Sequence, residues 1–430
     1  MLNQETYQIE AYFDRLWPIL RSITGDGVRK THDILGELLP LERHEIPSGT
    51  KVLDWSVPKE WRVREAYIKT PDGRRICDVM ENNLHLLNYS VPFSGVLTKA
   101  ELDKHLFSLP ERPNAIPYRT SYYKPNWGFC LTHNQRLGLP EGKYRVYIDT
   151  EHFDGSLTMS EAVLSGETDR EVLFTTYTCH PSLALNELSG PLVNAFLYNR
   201  IAAWPKRRLT YRFLFGPETI GAICYLAMRG EELKQKLETG YVVSCVGDGG
   251  AYRLKRSKRH TTVAERAAIY ALDQNRVDYR VISFNPSGSD EKQYCSIGYN
   301  LPFTVLTRTA FGEYPEYHTS DDNKSLMNFQ AMSESLDVFE HIAKIVDSNF
   351  TVINRITHGE PQMSKYSNLY TSISGAQANE QLMALKWLIH YADGEHDLLR
   401  IAELSGIGIE VLRGMVRKLL ETGCFYGQQT

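Results

Sequence analysis

Residues 171–204 read "EVLFTTYTCHPSLALNELSGPLVNAFLYNRIAAW". After Glu171, the next seven are apolar, aromatic or β-branched with no charged face, as expected of a strand covered on both sides. From Gly190 to Trp204 the apolar residues return at helical spacing. Between strand and helix stand Cys179-His180 and Asn186-Glu187. One βα unit thus carries polar chemistry at the carboxyl end of its strand.

The same rhythm continues on the C-terminal side. "LTYRFLFG" (209–216), "GYVVSCVG" (240–247), "DYRVISF" (278–284) and "LPFTVLTRT" (301–309) read as strands. "IGAICYLAMRGEELKQKL" (220–237), "TVAERAAIYALDQN" (262–275) and "MSESLDVFEHIAKIVDSNF" (332–350) read as helices. Such alternation predicts an α/β fold: a mixed, largely parallel sheet with helices on both faces. Ligands of such sheets gather beyond the carboxyl ends of the strands. Cys179-His180, Pro217-Glu218, Gly247-Asp248, and Asp290 with Tyr317-His318 all fall at such points. One histidine or acid there means little; four clusters placed alike point to a site.

Outside this core the pattern changes. Residues 1–45 are expected to contribute N-terminal helices that pack on the α/β domain, the first with Tyr7, Ala11, Leu16, Ile19 and Leu20 inward. Residues 46–151 are short alternating segments broken by Pro and Gly, with Pro71-Asp72-Gly73 as a hairpin turn, and read as a β-rich insert. The α/β domain is expected over 152–355. Residues 378–430 show two helices around the turn "SGIG", then an apolar strand-like stretch, the pattern of a winged helix. From Gln381 onward five Lys/Arg face six Asp/Glu. That balance gives little drive toward phosphates, so nucleic acid is not an expected partner.

The chain has 430 residues, 42% hydrophobic and 23% charged, with a formal net charge of −4. These are the proportions of ordinary globular protein, without a basic field. The N-terminus "MLNQETYQIEAYFDRLWPIL" carries charges through what would be the apolar core of a signal peptide, and no run suits a membrane span. Seven scattered cysteines without a CxxC pair fit a reducing compartment. A cytoplasmic location is therefore expected, with no membrane partner. The insert and near-neutral tail make a homo-oligomer plausible. Neither a GxxxxGK[ST] loop nor a GxSxG elbow is present.

Taken in order, "CHPS…NELSG", "GPETIG", "VGDGG", "GSDEKQY" and "YHTSDD" resemble the zinc aminopeptidase-like hydrolases with co-catalytic metals. The chain more closely resembles a bacterial branch of that group with a β-rich insert and a winged-helix tail, associated with surface polysaccharide gene clusters. The resemblance implies that His180, Asp248 and His318 are metal ligands and that Glu218 is the general base. Asn186 then stands where the family has a bridging aspartate, and Thr219 where it has a second glutamate. A neutral amide is a poor zinc ligand, so one zinc ion is expected rather than two, with Glu187 or Asn186 as a further ligand. Asp290, Arg308 and Tyr317 are candidates for holding substrate, with Tyr314 close by. The expected substrate is a small amine-bearing peptide or conjugate. A catalytically inactive binding or assembly protein with the same shell is the other reading left open. Cys179 is expected to point away from His180, as neighbours on a strand do.

Overall fold

The strand-and-helix rhythm becomes one eight-stranded sheet in the computed structural model, which describes residues 4–362, 365, 376–421, 423 and 425–427. In chain order its strands are β1 (Glu42–Pro47), β2 (Ser156–Leu164), β3 (Glu171–Tyr177), β4 (Thr210–Gly216), β5 (Leu237–Val243), β6 (Tyr252–Lys255), β7 (Tyr279–Ile282) and β8 (Phe303–Thr307). They lie in the order β1-β2-β4-β3-β5-β8-β6-β7. The central β4, β3, β5 and β8 are mutually parallel, while β1, β2 and β6 pair antiparallel to their inner neighbours. Strand β3 is buried at every residue, with Glu171 at its start paired to Arg212 at 3.0 Å.

The chain leaves β3 through helix α3 (Ser189–Ala202) to β4 on one side, then returns through helix α4 (Ile220–Lys236) to β5 on the other. The carboxyl end of β3 is therefore a topological switch point, where a crevice opens between diverging connections. Gly190 is required for α3 to sit there: a Cβ would lie 2.2 Å from the Val243 carbonyl oxygen and 2.3 Å from Thr176 Oγ1.

Helices α1 (Gln4–Leu16) and α2 (Asp26–Leu35) precede the sheet. The inner face of α1 is Thr6, Ile9, Phe13 and Leu16, whereas Tyr7 and Ala11 are exposed. Of the expected inward set Leu16 and Ile19 are buried and Leu20 is half-buried, while at the start of the helix Thr6 and Ile9 face inward in place of Tyr7 and Ala11. Between β1 and β2 an antiparallel sheet forms in the order Arg75–Ile76, Glu60–Lys69, Lys143–Phe153, Phe93–Thr98. The turn at Pro71-Asp72-Gly73 joins the first two, with Gly73 at φ 88°.

The described chain falls into two compact units, Met1–Glu265 with Val277–Asp337, and Arg266–Arg276 with Val338–Thr430. The second holds a small antiparallel sheet in which Thr351–Asn354 lies between Asp393–Asp397 and Phe425–Gly427. Helices Leu398–Ser405 and Ile409–Glu421 follow one another around Gly406, at φ 72°, and bury Leu399, Ile401, Leu412 and Val416. Asp397 caps the first by accepting the Arg400 N–H at 2.7 Å. No described helix is long and apolar enough to cross a membrane.

Candidate active site

Residues just past β3 and β4 meet at the switch point. After β3 the chain makes one wide helical turn over Ala184–Leu188, with the Ser189 N–H reaching back to the Ala184 carbonyl. Such a widened turn is frequent at functional sites. It is braced by Asp322, fully buried, which accepts the Leu185 and Asn186 N–H groups at 2.7 and 3.1 Å and the Tyr314 hydroxyl at 3.0 Å. Burial raises the Asp322 carboxyl pKa to about 6.

The turn brings Glu187 onto His180. Glu187 Oε2 lies 2.6 Å from His180 Nδ1, and the other ring nitrogen, Nε2, lies 3.7 Å from Glu218 Oε2. Behind Glu187 sits Arg21, also fully buried, with Nε 3.6 Å from Glu187 Oε1 and donating to the His180 carbonyl at 2.9 Å. Burial alone would lower the His180 pKa, but Cys179 and Glu187 beside it turn the shift well upward. Cys179, His180 and Glu187 are the one cluster of three metal-capable side chains, among the described residues, whose ligand atoms lie within 4.8 Å of one another. Cys179 does not point away from His180: its Sγ lies 3.6 Å from Nδ1. Strand alternation fails there because β3 has already ended at Tyr177. Burial raises the Cys179 thiol to about 11.

Glu218 stands just past β4. Its Oε1 accepts the Ser289 hydroxyl at 2.7 Å, and its own N–H donates to Cys179 Sγ at 3.3 Å. The next residue, Thr219, takes φ 65°, a strained value for a β-branched residue. Asp290 holds it there by accepting its N–H at 2.6 Å. Asp290 is thus spent on backbone, and burial, then the charge of Glu218, pushes its pKa well above the usual carboxylate range.

His318 lies beside His180, with ring centroids 5.3 Å apart, and its Nε2 is buried without a hydrogen-bond partner. Burial first, then the charge of His180, lowers its pKa to about 3. Tyr317 stacks on it at 3.9 Å. Tyr118, from the insert, meets both rings edge-on at 5.2 Å and shares a 2.7 Å hydroxyl contact with Tyr122. Two cavities flank this tyrosine. One, of about 230 Å³, is walled by Trp55, Tyr122, Tyr123, His180 and Glu218. The other, of about 530 Å³, is walled by Arg112, Arg119, Tyr317 and His318.

The remaining expected residues are elsewhere engaged. Asp248 is held by Thr309, whose N–H donates at 3.3 Å and whose hydroxyl also binds it. Asn186 Oδ1 accepts the Tyr177 hydroxyl at 3.2 Å, and its Nδ2 is buried and unpartnered. Arg308 is committed to the fold: it binds Ser335 Oγ, the Gly250 and Ala331 carbonyls and Glu334, over the Tyr252 ring, and walls neither cavity. Sequence reasoning missed Arg21, Tyr118 and Ser289. Arg21 lies 159 positions from His180, and no local pattern joins them.

A mixed α/β sheet with polar groups at the carboxyl ends of its central strands defines an aminopeptidase-like fold, and comparison with known proteins agrees. The chain belongs to the family described as Domain of unknown function (DUF4910), whose model matches residues 10–349, and a winged helix-turn-helix model matches residues 350–426. It is 41% identical over 401 residues to a Clostridium acetobutylicum protein named for polysaccharide biosynthesis and an aminopeptidase-like domain, covering 93% of this chain and 92% of that one. A crystal structure of a peptidase so described from the same organism superposes with a TM-score of 0.88 at 38% identity, over 98% of this chain and 96% of that one. The zinc aminopeptidase BSAP of Bacillus subtilis shares the fold at a TM-score of 0.59 and 11% identity, over 80% of this chain and 95% of that one.

Proposed function

We propose that this chain is a metal-dependent hydrolase of an amide or peptide bond. The observation that carries the reading is Glu218: one carboxylate oxygen is fixed by Ser289, and the other faces His180 Nε2 in a cavity at the sheet's switch point. A carboxylate so held is placed to take a proton from water and return it to a leaving amine.

The donors fit one divalent ion. His318 Nε2 is buried with no partner, which costs free energy unless something binds it. His180 Nε2 is turned toward the cavity, and the Asp248 carboxylate keeps lone pairs beyond those that Thr309 uses. His180 and His318, with ring centroids 5.3 Å apart, would supply two ligands to a zinc ion, and Asp248 would complete the set only on turning from Thr309 toward them. Asn186 is tied to Tyr177 and carries no charge, which argues against a second ion. When bound, zinc supplies a water whose pKa is lowered toward about 7. Glu218 would accept a proton from water at this site, and Tyr118, Tyr122 and Tyr123 would restrict bulk water around it.

The relative's name joins an aminopeptidase-like domain to polysaccharide biosynthesis. A small amine-bearing peptide, or an amino-acid or amino-sugar conjugate, is therefore the substrate class we favour, acted on in the cytoplasm. Asn186 and Thr219 in place of two family carboxylates favour a second reading, a binding or assembly protein without catalysis. Aminoacyl-amide substrates assayed with wild type and Glu218→Gln separate the two. Hydrolysis by wild type that Glu218→Gln loses supports the enzyme; zinc-replete wild type that turns over none of them supports the binding protein.

A further inference from the structure

We infer that Arg21 and Glu187 form a buried charge pair that positions His180 from behind, so that the N-terminal segment supplies part of the working site. The inference rests on the reading of His180 as a site residue. It gives Glu187 a positioning role in place of the ligand role expected from sequence.

The side chains of Arg21 and Glu187 are both 0% exposed. Two full charges persist without solvent only where each answers the other. Here they do more than cancel. Glu187 holds the ring through Nδ1 at 2.6 Å, while Arg21 Nε holds the backbone of the same histidine at 2.9 Å. His180 is therefore gripped at two points by one ion pair. Arg21 is itself fixed, donating through Nη1 to the Leu16 carbonyl at 2.7 Å, with Asn88 Nδ2 on its own carbonyl at 3.1 Å. With Nδ1 occupied, Nε2 is the ring nitrogen left for the cavity side, where Glu218 stands.

Two observations argue against Glu187 as a donor to a bound ion. It lies on the far ring nitrogen and walls neither cavity described above. Its free oxygen, Oε1, faces a guanidinium, which would repel a dication. A carboxylate on the outer nitrogen of a ligating histidine is a common way to fix ring orientation and raise basicity. The cation behind that carboxylate balances its charge away from water.

Histidine-selective ¹⁵N NMR of the metal-free full chain tests this, with His180 assigned by its loss in His180→Gln. The Nδ1 proton of His180 is expected far downfield and slow to exchange. Glu187→Gln, which keeps an acceptor but loses the charge, should move it upfield and leave the other histidines in place. Arg21→Met should also move it, and Arg21→Lys, which restores a cation, should recover much of the shift. An ordinary His180 resonance in wild type, or one that Glu187→Gln leaves unmoved, overturns the proposal. Zinc affinity measured by chelator competition should fall about 10–100-fold in Glu187→Gln. Unchanged affinity would reduce the pair to a structural one and likewise overturn it. Wild type that binds no zinc would instead refute the functional reading, leaving the NMR result to decide the positioning.

Discussion

Glu218 and His180 were legible in the sequence because each stands at a strand end with distinctive neighbours. Glu218→Gln is expected to lower turnover of any amide substrate by about 10²–10⁴-fold. Its melting temperature should stay close to wild type, since Ser289 can still bond the amide oxygen; a comparable loss of both would mean the residue is structural. Another histidine carries a different message. His32 is buried between Ser160 Oγ at 2.8 Å and Thr178 Oγ1 at 2.9 Å, and burial, then the charge of Arg43, lowers its pKa to about 3. In the unfolded chain it takes up a proton near pH 6.5, whereas the folded ring stays neutral. The unfolded state thus binds more protons below pH 6.5, and stability falls with pH from there toward pH 3. Between pH 7 and 5 this contributes a loss of about 2 kcal/mol. Urea unfolding should show that extra loss in wild type relative to His32→Asn, and equal losses would refute it.

The βα units were read from the switch between short β-branched and apolar runs of seven or eight residues and longer stretches at helical spacing. Where an element ends, that signal fails. The inner face of α1 was misphased near its start, at Tyr7 and Ala11, and Cys179 was placed by strand logic beyond the end of β3. The widened turn at Ala184–Leu188 could not be read either, since it depends on Asp322, which lies 137 positions from Leu185. Gly190 shows how tightly α3 is seated. Gly190→Ala should destabilise the fold by about 3 kcal/mol, at the upper end of overpacking costs, because neither the Val243 carbonyl nor Thr176 can withdraw. A chemical-denaturation midpoint within error of wild type would show that the sheet yields there.

For the molecule as a whole, composition argues on charge against a dedicated nucleic-acid binder, and the winged-helix tail keeps that balance. Full-length protein is expected to show no salt-dependent affinity for a short DNA duplex at about 0.15 M salt, where surface charges act over only about 8 Å. Binding that weakens steeply with salt would contradict this. The substrate was not legible, because the walls of both cavities come from segments far apart in the chain. Tyr118 and Tyr123 of the insert approach residues some sixty to two hundred positions away, and only the folded chain brings them together.

Zinc per chain, determined by elemental analysis on protein purified without chelator or affinity-tag metal, bears most directly on the proposed chemistry. About one zinc in wild type, lost in His180→Ala and in His318→Ala, is expected from the two neighbouring imidazoles, with Asp248 as the proposed third ligand. No zinc in wild type, or two per chain that survive His318→Ala, would contradict a single-ion hydrolase.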